Sequence, residues 1–156
     1  MTLEEQAVEL LIKKGYHISF AESCTGGLCC GALVNVSNAS KVLDVSFTTY
    51  ADEAKIKYLG VNPDTIKNHG VVSEEVAREM ALGVAKAADS EVGVGVTGIA
   101  GPTGGTATKP VGMVCFGFCI NGEVVTCTKQ FGDIGRNNVR KASVEFVFQT
   151  LIDCLQ

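Results

Sequence analysis

The sequence predicts an α/β fold, a three-layer α/β/α sandwich around a mixed, mostly parallel central sheet with a late β-hairpin. Three observations predict it. Short β-branched and apolar runs alternate with stretches of helical period along most of the chain. Asn121-Gly122 separates two apolar runs, the strongest short-range hairpin signal. No internal repeat, low-complexity segment or linker interrupts the pattern, so residues 1–156 are expected to form one domain.

Each element has its own justification. Leu3 to Lys14 repeats apolar residues at Leu3, Ala7, Leu10 and Leu11 and then meets Gly15, a helix with a glycine stop. His17 to Ala21 reads as the first strand, and a helix is expected over Gly26 to Val34. Asn35 to Ser40 is a polar loop, and Val45 to Tyr50 is β-branched and aromatic, hence a second strand. Asp52 is placed to cap a helix carrying Ala54, Ile56, Lys57 and Leu59, stopped by Gly60 and Pro63.

Asn62 to Asn68 reads as a short helical turn. Ser73 caps the next helix, whose first turn holds Glu74 and Glu75, the charge that suits an N-terminal dipole. Val76, Met80, Val84 and Ala87 are its expected apolar face. Val92 to Val96 is a short buried strand, and Gly98 to Pro110 is a glycine-rich loop of thirteen residues, long enough to suspect function. Val111 to Ile120 and Glu123 to Phe131 are the hairpin strands. A last helix is expected over Asn137 to Leu155, facing inward through Val139, Val144, Val147, Leu151 and Leu155.

Composition excludes several function classes. A hydrophobic fraction of 46% and a charged fraction of 19% describe a compact globular chain. The net charge is −4 with no basic cluster, so the footprint of nucleic-acid binding is missing. The longest apolar run, Val111 to Ile120, has ten residues, against about 20 for a membrane span. The acidic start, Met1-Thr2-Leu3-Glu4-Glu5, lacks the pattern of a signal peptide, and a cytoplasmic location is expected. Seven cysteines with no Cys-x-x-Cys pair and only His17 and His69 beside them make a metal site the weakest expectation. Most lie in apolar runs, where free buried thiols are expected. Neither a cofactor nor a metal is expected.

The stretch richest in chemistry is Ala21-Glu22-Ser23-Cys24-Thr25-Gly26-Gly27, where the first strand is expected to turn into a helix. Such a junction exposes side chains and aims free backbone N–H groups outward, which favours nucleophile presentation and anion binding together. A plain strand–helix turn is the alternative. A serine nucleophile needs a base. His17 lies on the same strand as the motif, and His69, just before Gly70, reads as a helix-end residue, so a histidine triad is disfavoured. Lysine serves instead when burial lowers its pKa. Lys55, on the helix after the second strand, falls beside Ser23 if the first two strands are neighbours.

The segment Gly98-Ile99-Ala100-Gly101-Pro102-Thr103-Gly104-Gly105-Thr106 could turn N–H groups onto an anion, but lacks the Gly-Lys-Ser/Thr of an ATPase loop. Arg136 and Arg140, four residues apart on one helix face, suit phosphate or carboxylate. Together these features suit nucleophilic attack on a small anionic substrate.

At this point the residues resemble a known family. Ala21-Glu22-Ser23-Cys24-Thr25-Gly26-Gly27, Thr49-Tyr50 with Ala54-Lys55, Gly70-Val71-Val72-Ser73-Glu74-Glu75-Val76, Val96-Thr97-Gly98-Ile99-Ala100-Gly101-Pro102, Gly104-Gly105 and Lys109-Pro110-Val111-Gly112 closely resemble the C-terminal domain of the CinA family and its stand-alone relatives, the nicotinamide-nucleotide amidases. The resemblance covers about residues 5 to 152, and a stand-alone protein without the N-terminal domain of long CinA chains is expected. It implies hydrolysis of the carboxamide of nicotinamide mononucleotide to nicotinate mononucleotide and ammonia. Ser23 would be the nucleophile and Lys55 its general base, with Tyr50 assisting. By position, Glu22, Cys24, Thr25, Gly26 and Gly27 would form the oxyanion and substrate-binding turn. Gly101, Thr103, Gly104, Gly105 and Thr106, with Arg136 or Arg140, would hold the phosphate.

Two departures from the family pattern stand out. Tyr-Ser-Asn before the lysine helix is replaced by Tyr50-Ala51-Asp52, and the added carboxylate is expected to raise the Lys55 pKa. Gly-Asp-Arg before the last helix becomes Gly132-Asp133-Ile134-Gly135-Arg136. A non-catalytic nucleotide-binding module is the alternative that the first departure motivates, and Cys24 is the alternative nucleophile. The apolar surface of the hairpin points to a homodimer.

Overall fold

A computed structural model describes all 156 residues. Helices α1 (Leu3–Lys14), α2 (Leu28–Val34), α3 (Asp52–Leu59), α4 (Pro63–His69), α5 (Glu74–Ala88) and α6 (Arg136–Leu155) surround strands β1 (Ile18–Glu22), β2 (Phe47–Thr48), β3 (Val92–Gly98), β4 (Met113–Ile120) and β5 (Glu123–Gln130). The sheet order is β2-β1-β3-β4-β5. β1 runs parallel to β2 and β3, while β4 and β5 are antiparallel to their neighbours. The expected mixed sheet is thus present, and no helix is long and apolar enough to cross a membrane.

Helices α1, α2 and α6 cover one face, and α3, α4 and α5 the other. The larger core joins Val92, Val94 and Val96 of β3 to Phe116 and Phe118 of β4 and to Val147, Phe148 and Leu151 of α6. The opposite face is built for close approach. A Cβ on Gly95 would lie 2.5 Å from the Ala77 carbonyl oxygen, and one on Gly117 2.4 Å from the same atom. Small residues on both surfaces let the α5 backbone rest directly on the sheet, so Ala77 and Ala81 are fully buried. The expected Ala87 is exposed, because these alanines turn α5 onto the sheet by a different stripe.

Several boundaries differ from expectation for local reasons. The second strand is only Phe47–Thr48, because Thr49 and Tyr50 turn their carbonyls away from the sheet towards Lys55. Helix α2 begins at Leu28 rather than Gly26, since Gly26 (φ 58°) and Gly27 (φ 100°) are left-handed. Ala51 is the N-cap of α3 and Asp52 its first residue, and Pro63 starts α4 rather than ending α3. A 3-10 turn, Ala39–Lys41, follows the polar segment. β4 begins at Met113, because Gly112 has φ 91° and donates its N–H to the Ile99 carbonyl outside the ladder.

This topology gathers the loops that matter. β1, β2, β3 and β5 all end at one edge of the sheet, where β4 begins. Ser23, the α3 entry, the loop after β3 and the start of α6 therefore converge there, as ligand sites in open α/β sheets do.

Candidate active site

Ser23 immediately follows β1 and keeps its backbone on the sheet, its N–H donating to the Val96 carbonyl at 3.1 Å. The chain then turns sharply. Gly26 donates to the Ser23 carbonyl and Leu28 to the Thr25 carbonyl, each at 3.0 Å. The N–H groups of Cys24 and Thr25 have no acceptor within the chain, leaving two donors beside the serine. Glu22 has a different task from the substrate contact expected of it. Its carboxylate is fully buried and accepts the Cys29 and Cys30 N–H groups at 2.8 and 3.0 Å, satisfying orphan donors in the first turn of α2.

Lys55 comes from the first turn and a half of α3 and points back under the turn. Its side chain is almost completely buried. Nζ lies 2.7 Å from the Thr49 carbonyl, 3.2 Å from the Tyr50 carbonyl and 3.1 Å from Ser23 Oγ. An ammonium would donate to all three oxygens. A neutral amine has two hydrogens for the two carbonyls and a lone pair for the serine hydroxyl, so the geometry also suits the deprotonated form. Burial lowers the Lys55 pKa below its ordinary 10.5, and this outweighs the opposing pull of Asp52. The expected upward shift from Asp52 is thus a real contribution that burial overrides.

Neither histidine reaches Ser23. His17 Nδ1 lies 2.7 Å from Asp44 at the other end of β1, and His69 ends α4 beside Glu75. Cys24 is only 6% exposed and packs into the core beneath α1, α2 and α6. Burial pushes its thiol up to about 11, so it stays protonated at neutral pH and is a poor alternative nucleophile.

A cleft of about 420 Å³ opens over Ser23 and Lys55. Of the loop residues expected to hold the phosphate, Gly101, Thr103, Gly104 and Thr106 line it. Gly105 does not; it packs against Val111, whose N lies 2.8 Å from where its Cβ would be. Gly26 and Gly27 also stand outside the cleft, against Arg140 and Thr48 respectively.

The two arginines divide their roles. Arg140 reaches from α6 to the nucleophile turn, donating from Nε to the Cys24 carbonyl at 2.9 Å and from Nη2 to the Thr25 carbonyl at 3.2 Å. It braces the turn instead of lining the cleft. Arg136 does line it, donating to the Gly101 carbonyl at 2.8 Å and to the Tyr50 hydroxyl at 2.9 Å. Tyr50 therefore meets Lys55 through its backbone carbonyl, while its exposed ring stands at the rim with Arg136.

Sequence reasoning missed Lys109. It lies in the Lys109-Pro110-Val111-Gly112 segment, and its position at the end of the glycine loop was a usable signal. Its Nζ donates to the carbonyls of His69 and Val72, which holds the cation at the wall of the cleft. Lys109 and Arg136 make the mouth cationic in a chain whose net charge is −4.

Comparison with known proteins agrees with this architecture. The profile of the CinA C-terminal domain matches residues 1–155. A CinA-like protein of Kosmotoga olearia is 49% identical over 145 residues, which are 93% of this chain and 35% of that protein. The chain spans little more than a third of the curated relatives it matches. Among solved structures, the competence/damage inducible protein CihA of Agrobacterium tumefaciens is 41% identical with a TM-score of 0.94, over 99% of this chain and 96% of that one. A competence or damage-inducible protein of Enterobacter asburiae is 34% identical with a TM-score of 0.95, over the same shares. With a matching profile along almost its whole length, the chain belongs to the CinA C-terminal domain family.

Proposed function

We propose that this protein is an amidohydrolase that deamidates nicotinamide mononucleotide to nicotinate mononucleotide and ammonia through a serine–lysine acyl-enzyme. The observation that carries the reading is the buried Lys55 Nζ at 3.1 Å from Ser23 Oγ, with its other two neighbours both carbonyls.

In this mechanism neutral Lys55 takes the Ser23 proton as Oγ attacks the carboxamide carbon. The free Cys24 and Thr25 N–H groups are the candidate donors to the oxyanion. Collapse breaks the C–N bond, and the leaving nitrogen takes the proton from Lys55 and departs as ammonia. Water, deprotonated by the same amine, then attacks the ester. Lys55 returns that proton to the departing Ser23 Oγ, and the product acid ionises to the carboxylate in solvent. Lys109, Arg136, Thr103 and Thr106 supply the charge and donors for the phosphate end.

The test is ammonia release from nicotinamide mononucleotide by the purified protein. Ser23→Ala and Lys55→Ala should each lower turnover by about a thousandfold while leaving nucleotide binding measurable. Saturable binding of the nucleotide with no ammonia from the wild-type protein would replace this reading with a non-catalytic nucleotide-binding module.

A further inference from the structure

The far edge of the sheet presents a strand with one open side. β5 pairs only with β4, and no further strand lies beyond it. Which of its backbone groups are free follows from the hairpin. Phe131 N–H donates to the Gly112 carbonyl one step beyond the Met113↔Gln130 register. Alternation along an antiparallel ladder then assigns the bonds to β4 to Lys129, Cys127, Val125 and Glu123. Val124, Thr126 and Thr128 therefore turn their N–H and C=O groups outward. Arg78 reaches the Val124 carbonyl from α5 at 3.4 Å, a weak contact, while Glu74 of α5 accepts from the Thr126 and Thr128 hydroxyls at 2.8 and 2.6 Å and leaves their backbone groups free.

The odd residues stand on the α6 face, where Lys129 Nζ lies over the Phe146 ring and Cys127 packs against the core. Val125 on the same face is 58% exposed. Long unpaired edges invite another strand, and natural sheets usually block them with charge. Here the two charges stand at opposite ends of the strand, Glu123 and Lys129, both exposed. That arrangement is complementary to its own antiparallel copy.

We propose that β5 is the homodimer interface, with a second copy of this chain adding its β5 antiparallel across a two-fold axis at Thr126. In that register Glu123 faces the partner's Lys129 twice, and Val125 faces the partner's Cys127 twice. The outward groups of Val124, Thr126 and Thr128 form about six inter-chain hydrogen bonds. Moving the axis to Val125 or Cys127 loses both ion pairs, so charge selects the register more than it adds affinity. The interface lies at the opposite end of the sheet order from β1 and β2, so each protomer keeps its own cleft.

Sedimentation across a concentration series tests the state, and charge reversal tests the register. The wild-type chain is expected to dimerise. Glu123→Lys and Lys129→Glu alone each put like charges opposite and should weaken the dimer by about tenfold. Mixing these two variants restores both pairs and should recover association as a heterodimer. Circular dichroism verifies that the variants are folded, and the mixing experiment is internally controlled because both components are the weakened proteins.

Val125→Cys reads the register directly. Non-hydrogen-bonded partners on adjacent strands have Cα atoms about 4.5 Å apart, within disulfide range. Oxidation should link the introduced thiol to native Cys127 of the other chain, as mapped by peptide mass spectrometry, and Cys127→Ser should abolish the link. A wild-type chain that stays monomeric, a dimer indifferent to charge reversal, or a dimer lacking that cross-link would each overturn the proposal.

Discussion

Lys55 Nζ is 2.7 Å from the Thr49 carbonyl oxygen, closer than to the serine it serves. That carbonyl is free because β2 stops at Thr48, so the early end of the strand is what orients the amine. With Tyr50 supplying a second carbonyl, the side chain has one remaining direction, towards Ser23. Turnover of the proposed amidase should rise with pH as Lys55 loses its proton, on a limb below the ordinary lysine value of 10.5. Asp52 pulls that pKa upward. Asp52→Asn should move the limb to lower pH, as read from a pH–rate profile, and an unmoved limb would mean that another group titrates there.

The same burial makes a prediction about stability. Lys55 has a lower pKa folded than unfolded, so between the two values the unfolded chain binds more protons. The contribution of Lys55 to stability should therefore rise with pH from the lowered folded value towards 10.5, where the folded state no longer bears the cost of a buried cation. The raised thiols of Cys24 and Cys127 act in the opposite sense. Lys55→Met keeps the apolar stem and removes the titration. From neutral to alkaline pH its urea midpoint should rise less, or fall further, than that of the wild-type protein, because both keep the same thiols and only the wild type sheds a buried cation. Equal slopes would contradict the assignment.

Glu22 should matter for folding more than for substrate. Its carboxylate satisfies two backbone donors at the α2 N-terminus from a fully buried position. Glu22→Ala leaves both N–H groups unpaired and should cost about 3 kcal/mol, measurable by urea denaturation. Glu22→Gln keeps one acceptor and should fall between the two. Wild-type stability in the alanine variant would rule out this capping role.

Much of this was legible because each element announces itself locally. Thr2 and Glu5 form a reciprocal capping box and Gly15 ends α1, so that helix lies where the apolar period placed it. The hairpin likewise turns at Asn121 and Gly122, both with positive φ. What the sequence hides is how side chains are spent. Arg136 and Arg140 look equivalent on one helix face, yet only the structure shows Arg140 held by the Cys24 and Thr25 carbonyls. Gly105 looks like Gly104, but one packs on Val111 and the other lines the cleft. Lys109 escaped notice because its partners, the His69 and Val72 carbonyls, are about forty residues away in sequence.

Lys109 provides the last test, through Gly70. Gly70 has φ 82°, and a Cβ there would lie 2.7 Å from Lys109 Nζ. The glycine thus leaves the space in which the ammonium reaches the neighbouring carbonyls. Gly70→Ala should strain the turn and push the lysine from its place at the cleft wall. If Lys109 holds the phosphate of the proposed substrate, Lys109→Met should raise KM about tenfold with kcat little changed, the pattern of lost uniform binding. Gly70→Ala should raise KM in the same direction. The double variant should be no worse in KM than Lys109→Met, because the two substitutions remove one shared interaction. Added salt should raise the wild-type KM more than that of Lys109→Met, since one charge–phosphate attraction at the cleft mouth is already gone. A Lys109→Met protein with normal KM and depressed kcat would instead move this lysine to the chemical step.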